Sequence, residues 1–384
     1  MQSIPLNGDV VELVGALDRD ETPTGVVPRR LPAWTRAQLP DVVMDFIVQS
    51  PSGVRLRFTT DATAIELDVM LTLLHRIPGG LPPAVFDLVA DGRLVAQVPS
   101  TTGTVLHVDM RRPQDVTIET GEPTTVRFDD LDPGAKTVEL WLPQGGSVEL
   151  RDLRVNDGAT VTSPGPSGRA RWVHYGSSIS HCLEAASPTA TWPAVAARLG
   201  GVELLSLGFG GQCMLDQFVA RTIRDEPADL ISMKVGINVV NADTMRERTF
   251  SPAVHGFIDT IREGHPDTPL LVVSPIYCPS AEVHPGPTVA GEDGKYRTIP
   301  GLDDLRATCL TLQKARLALA SIVAARRDLG DRNLHYLDGL ELFGPDDAHD
   351  LPDDLHPNAA GYVRMGERFA ALALGPDAPL TPPP

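Results

Sequence analysis

Hydrophobic and polar residues alternate along the first part of the chain, and the rhythm changes near residue 170. In VRLRFTTDATAIELDVML (54–71), Val54, Leu56 and Phe58 alternate with polar neighbours. After a polar break at Thr59 to Asp61, the alternation resumes with Ile65, Leu67 and Val69. A period of two is the pattern of half-buried strands. VVELVGAL (10–17), AVFDLVADGRLVAQV (84–98) and TVELWLPQGGSVELRDLRV (137–155) are further β-rich runs. Ala90-Asp91-Gly92 and Gln144-Gly145-Gly146 carry hairpin-turn signals. Short strands at regular spacing predict an all-β sandwich.

The stretch DGATVTSPGPSGRA (157–170) is rich in Gly, Pro, Ser and Thr and reads as a linker. Beyond it, apolar β runs alternate with amphipathic helical stretches. The predicted strands are RWVHYG (171–176), VELLSLG (202–208), LISMKVG (230–236), LLVVSPI (270–276) and NLHYLDG (333–339). The helical stretches lie near 189–199, 214–224, 251–263, 303–328 and 358–373. This order predicts a three-layer, flavodoxin-like α/β domain with a parallel five-stranded sheet. The expected division is a β-sandwich over 1–160 and an α/β domain over 161–384. There is no internal repeat, and no low-complexity run beyond the terminal TPPP.

A chain of 384 residues exceeds one ordinary core and suits two domains. Hydrophobic residues at 42% and charged residues at 22% fit a soluble globular protein. No run approaches the ~18 apolar residues that a membrane span requires. The start, MQSIPLNGDVVELVG, lacks a basic stretch followed by an apolar one, so the expected location is the cytoplasm, with no membrane partner. A net charge of −17 repels phosphates, which argues against nucleic acid as a partner. Cys182, Cys213, Cys278 and Cys309 form no CxxC pair and no disulfide framework. They read as small buried residues, and no metal is expected.

Four short motifs bear on chemistry. Gly176-Ser177-Ser178-Ile179-Ser180 follows the first parallel strand. A hydroxyl at the start of a helix there can attack a carbonyl while free N–H groups hold the oxyanion, or the serines can simply cap the helix. Asp353-Asp354-Leu355-His356-Pro357 lies near the end of the chain. An Asp three residues before a His can fold back onto Nδ1, as a catalytic triad requires, although an acidic helix start fits as well. Pro357 suits the first position of a final helix. Leu207-Gly208-Phe209-Gly210-Gly211-Gln212 ends the second strand and Gly236-Ile237-Asn238 the third. Each can supply an oxyanion donor or be an ordinary turn. All four converge at the carboxyl edge of a flavodoxin-like sheet, where ligands bind.

These blocks, in this order, resemble the SGNH (GDSL) hydrolase superfamily over roughly residues 171–373. The resemblance implies Ser178 as nucleophile, with Asp353 and His356 completing the triad. It implies an oxyanion hole of Ser178 N–H, Gly211 N–H and the Asn238 amide, and no bound cofactor. Two positions depart from the family pattern: Ser177 replaces the usual Asp before the nucleophile, and Val239 replaces the usual Asp after Asn238. The N-terminal half resembles the carbohydrate-binding-module-like sandwich that some members carry. The chain size, the GSSIS block and the absence of an export signal resemble the GDSL acyltransferases of antibiotic biosynthesis. That likeness implies a small-molecule acyl donor, acyl-CoA as co-substrate, and a polyketide hydroxyl as acceptor. An esterase using water on small or carbohydrate esters is the alternative, and a sugar-binding protein with an inert hydrolase domain a third reading.

Other residues suit packing. His174 and Tyr175 alternate to opposite faces of their strand, Trp192 belongs to a helix core, and Trp34 and Trp141 are expected in the sandwich core. The long excursion 278–298 has the length of a lid or binding loop, within reach of which lie Tyr277 and His284.

Overall fold

The computed structural model describes residues 1–6, 10–113, 115–299 and 307–382. They form two compact units, Met1–Gly168 with Ala186–Thr189, and Arg169–Ala185 with Ala190–Pro384.

In the first unit, the period-two runs become the strands of two sheets. Ile65–Ile77 is the longest strand and pairs antiparallel with Ser147–Val155 and Thr124–Phe128, and parallel with Thr104–Asp109. The second sheet places Arg55–Thr60 beside Lys136–Trp141, followed by Ala84–Ala90 and Arg93–Ser100. Ile65, Leu67, Val69 and Leu71 share one core with Phe58, Phe86, Leu88 and Val138, all fully buried. Burying such side chains contributes about 1.5–3 kcal/mol each before entropy is counted.

Asp91-Gly92 makes the expected two-residue hairpin, with Ala90 paired to Arg93. Gln144-Gly145-Gly146 does not. Its flanking strands lie in different sheets, so the turn carries the chain across the sandwich rather than back along a neighbour. The unit also contains a helix that alternation did not reveal, Val42–Gln49, capped by Asp41 through Met44 N at 2.8 Å. Trp141 is buried, as expected, and donates from Nε1 to Glu139 at 3.1 Å. Trp34 is not a core residue: it is 41% exposed.

In the second unit, five parallel strands run in the order Glu203–Gly208, Arg171–Gly176, Leu230–Lys234, Leu270–Val273, Leu334–Leu337. The central strand Leu230–Lys234 is buried throughout, Ser232 and Lys234 included. Helices cover both faces. Trp172 stacks on Phe369 of the helix Ala359–Ala373, and Tyr175 stacks on Phe257 of the helix Glu247–Gly264. Trp192 lies fully buried in the helix Trp192–Gly200.

The helix expected over 303–328 begins at Leu312, where the Thr311 side chain accepts from Lys314 N at 3.2 Å; residues 303–306 lie outside the described residues. Pro357 is not the first residue of the last helix. Asn358 is its cap, accepting from Gly361 N at 2.9 Å, and Pro357 precedes it. Part of the excursion 278–298 folds as a hairpin, Thr288–Ala290 against Tyr296–Thr298. Among the described residues, no helix is long and apolar enough to cross a membrane.

Candidate active site

The first parallel strand ends at Gly176, and a one-turn helix, Ser178–His181, starts at once. Ser177 is fully buried and caps that helix, accepting from Ile179 N at 3.3 Å. The cap is thus supplied by Ser177 and not by Ser178. Ser178, the first helical residue, is half-buried, and its Oγ lies 3.0 Å from His356 Nε2. Gly208, ending the second strand, makes room for this helix: a Cβ there would meet the backbone of Ser180 and His181 at 2.6 Å.

His356 is held from below. Asp353 Oδ2 is 2.7 Å from His356 Nδ1, while Oδ1 accepts from the N–H groups of Leu355 at 3.0 Å and His356 at 2.7 Å. The three-residue spacing therefore closes a turn in which both carboxylate oxygens are used. Burial raises the pKa of Asp353, but the hydrogen bonds and charge of His356 outweigh it and hold the carboxyl below its usual range. Asp353 stays ionised, and an ionised partner favours Nδ1–H and leaves Nε2 as the acceptor toward Ser178.

The two other motifs read as sources of oxyanion donors follow the second and third parallel strands, at Gly211 and Asn238. Asn238 is buried on the short helix Ile237–Asn241, and its Oδ1 accepts from Cys213 N at 3.0 Å. That bond leaves Nδ2 as the donor end of the amide. Gly211 has φ +71°, a left-handed backbone that a side chain would strain, and it is exposed. Among the described residues, none accepts from Ser178 N–H, Gly211 N–H or Asn238 Nδ2.

Sequence reading missed two neighbours of His356. Glu184 Oε1 lies 3.9 Å from Nδ1, and the Tyr296 ring packs edge-on to the imidazole at 5.6 Å between centroids. Tyr296 N donates to Asp353 O at 2.9 Å, and Lys295 Nζ pairs with Asp354 at 3.0 Å, so the hairpin is fastened to the histidine turn. Nothing in the aperiodic excursion marked Tyr296. Tyr277 is half-buried and His284 exposed.

Beneath the serine helix lies a buried polar layer. His174 meets Ser232 Oγ at 2.7 Å and Ser180 Oγ at 2.8 Å, and burial, aided by the Lys234 charge, lowers its pKa to about 3. It is therefore a neutral brace rather than a base. Lys234 is fully buried, its pKa lowered by burial to about 8, and among the described residues its Nζ has no hydrogen-bond partner. All four cysteines are free and buried, and burial pushes the Cys213 thiol up to about 12. Among the described residues, no group of three or more His, Cys, Asp or Glu is placed to hold a metal ion.

Comparison with known proteins gives these geometric facts a context. Residues 174–364 match the GDSL-like Lipase/Acylhydrolase family. The salicylyl-acyltransferase SsfX3 from a tetracycline biosynthetic pathway is similar over 96% of this chain and 95% of its own, at 29% identity and a TM-score of 0.80. A GDSL-like lipase candidate from Bacteroides ovatus aligns over 93% of both chains at 20% identity and a TM-score of 0.66. A family two carbohydrate esterase from Clostridium thermocellum, solved with cellohexaose, shares the fold at 15% identity and a TM-score of 0.57, over 83% of this chain and 91% of its own. No curated protein matches the chain by sequence.

Proposed function

Residues 174–364 belong to the GDSL-like lipase/acylhydrolase family, which makes the chain an enzyme of the GDSL acyltransferase/esterase type, and from that premise we propose that it moves an aryl acyl group from a coenzyme A thioester to a hydroxyl of a polyketide. The observation that carries the choice of transfer is the likeness to a salicylyl-acyltransferase over 96% of the chain, sandwich included. Ser178, His356 and Asp353 are the proposed triad, on the strength of their 3.0 Å and 2.7 Å contacts. Acyl-CoA is a co-substrate in this reading, and the enzyme works in the cytoplasm.

His356 Nε2 takes the Ser178 proton as Oγ attacks the thioester carbonyl. The oxyanion rests on Ser178 N–H, Gly211 N–H and Asn238 Nδ2, fixed dipoles that need no reorganisation as charge develops. Collapse expels the thiolate, which takes the proton from Nε2, and leaves an ester on Ser178. The acceptor hydroxyl then gives its proton to Nε2, attacks that ester, and departs as the acylated product while Ser178 regains its proton. Asp353 steadies the imidazolium in both halves.

Water in place of the acceptor alcohol would make the same acyl-enzyme a hydrolase, the activity named by the family. The decisive experiment incubates the protein with a panel of aryl and alkyl acyl-CoA thioesters, with and without a polyketide alcohol. Acyl mass on Ser178 and a new ester product are expected. Free acid alone, whatever alcohol is present, would sink transfer and leave hydrolysis, and Ser178→Ala should abolish both.

A further inference from the structure

The imidazole of His356 faces two carboxylates. Asp353 Oδ2 is 2.7 Å from Nδ1, and Glu184 Oε1 is 3.9 Å from the same nitrogen. Glu184 follows directly on the serine helix, which stops after one turn where Cys182 takes a left-handed conformation, φ 61°. The other oxygen, Oε2, accepts from the hydroxyl of Tyr362 at 3.0 Å. Tyr362 is fully buried on the last helix, so the carboxylate is held by a rigid element and not by a mobile surface contact.

We infer that Glu184 is a positioning residue for acyl transfer, a second carboxylate that shares with Asp353 the support of the His356 imidazolium while Tyr362 fixes its aim. The assignment rests on His356 being the base of the proposed reaction. Asp353 spends Oδ1 on two backbone N–H groups, which draws on its charge. The Glu184 carboxylate lies near the imidazole in a mostly buried setting, where a charge acts with less screening than at the surface. The groups placed against His356 are Asp353 from its own turn, Glu184 and the Tyr296 ring, with Tyr362 and the Cys182 thiol near Glu184. Lys295 is occupied by Asp354 next door. Burial, first, and then the Glu184 charge hold the Cys182 thiol protonated, so the negative charges at Nδ1 are the two carboxylates.

The test is the pH dependence of p-nitrophenyl acetate turnover, with fluorophosphonate labelling of Ser178 as the control. The acid limb of kcat/KM reports His356 losing its proton. Glu184→Gln should lower the midpoint of that limb by about one pH unit, the size of shift that removing a nearby opposite charge produces. It should cut kcat about tenfold with KM little changed. Tyr362→Phe, which leaves the carboxylate but frees it, should move the limb the same way by less, and adding Glu184→Gln to Asp353→Asn should deepen the loss. An unchanged midpoint in Glu184→Gln, even with lower activity, would reduce Glu184 to a packing role and overturn the inference. If Glu184→Gln does not fold, the imidazole pKa of His356 measured by NMR in Tyr362→Phe decides: lower than in wild type supports it, equal overturns it. Absence of labelling in the wild type would instead sink the serine mechanism itself.

Discussion

The side chain of Asn238 is divided between two tasks. Its carbonyl oxygen accepts from Cys213 N at 3.0 Å, which fixes the loop after the second strand, and its amide nitrogen remains available as a donor. Asn238→Ala should therefore fail twice. Loss of this proposed oxyanion donor should lower the acylation rate ~10²–10³-fold, and the unpaired Cys213 N–H should cost about 1–3 kcal/mol of stability. Stopped-flow acylation and urea unfolding would separate the two effects; a normal acylation rate in a destabilised variant would confine Asn238 to structure. The spacing of Asp353 and His356 was legible because a carboxylate three residues before an imidazole can reach Nδ1 only by closing a turn. Glu184 was not legible. It depends on Cys182 adopting a positive φ that neither Gly nor Asn signals, and on Tyr362, 178 residues away.

Among elements, the strand Leu230–Lys234 shows what burial does to charge. Among the described residues Lys234 Nζ has no hydrogen-bond partner, and its pKa falls from 10.5 to about 8. Below about pH 8 the amine is charged in both folded and unfolded chains, and the folded state bears the full cost of hiding it. Between about 8 and 10.5 the unfolded chain binds the extra proton, so stability rises with pH. Lys234→Met should stabilise the protein at pH 7 by roughly 3 kcal/mol, an advantage that shrinks as the pH approaches 10.5. Urea unfolding at several pH values checks it, and a gain that does not depend on pH would show that packing, not charge, is responsible. The five parallel strands were readable because each is a short apolar run bounded by helical periodicity. The helix Val42–Gln49 was not, since DVVMDFIVQ is as apolar as the strands beside it and only its Asp41 cap distinguishes it. The same ambiguity hid the path of Gln144 to Gly146, because a glycine turn looks alike whether it returns a strand to its neighbour or hands it to the opposite sheet.

The first compact unit is not continuous in sequence. The first unit takes Ala186–Thr189 from the middle of the second, two residues beyond Glu184. Asp87, fully buried, accepts there from Ser187 Oγ at 2.6 Å, Thr189 Oγ at 2.6 Å and Thr189 N at 3.0 Å, and also from Gln97 at 2.8 Å. One carboxylate thus satisfies four donors. Asp87→Ala should cost about 1–3 kcal/mol, because the buried Ser187 hydroxyl would lose its acceptor. Thermal unfolding would reveal it, and a loss below 1 kcal/mol would mean that the donors find water.

This arrangement bears on how the protein can be rebuilt. Trimming it at the Gly- and Pro-rich spacer would strand Ser187 and Thr189 without their acceptor, a few positions downstream of the serine helix. Anyone grafting this hydrolase half onto a foreign β-sandwich must either bring an aspartate to meet those two hydroxyls or redesign the tetrapeptide that carries them.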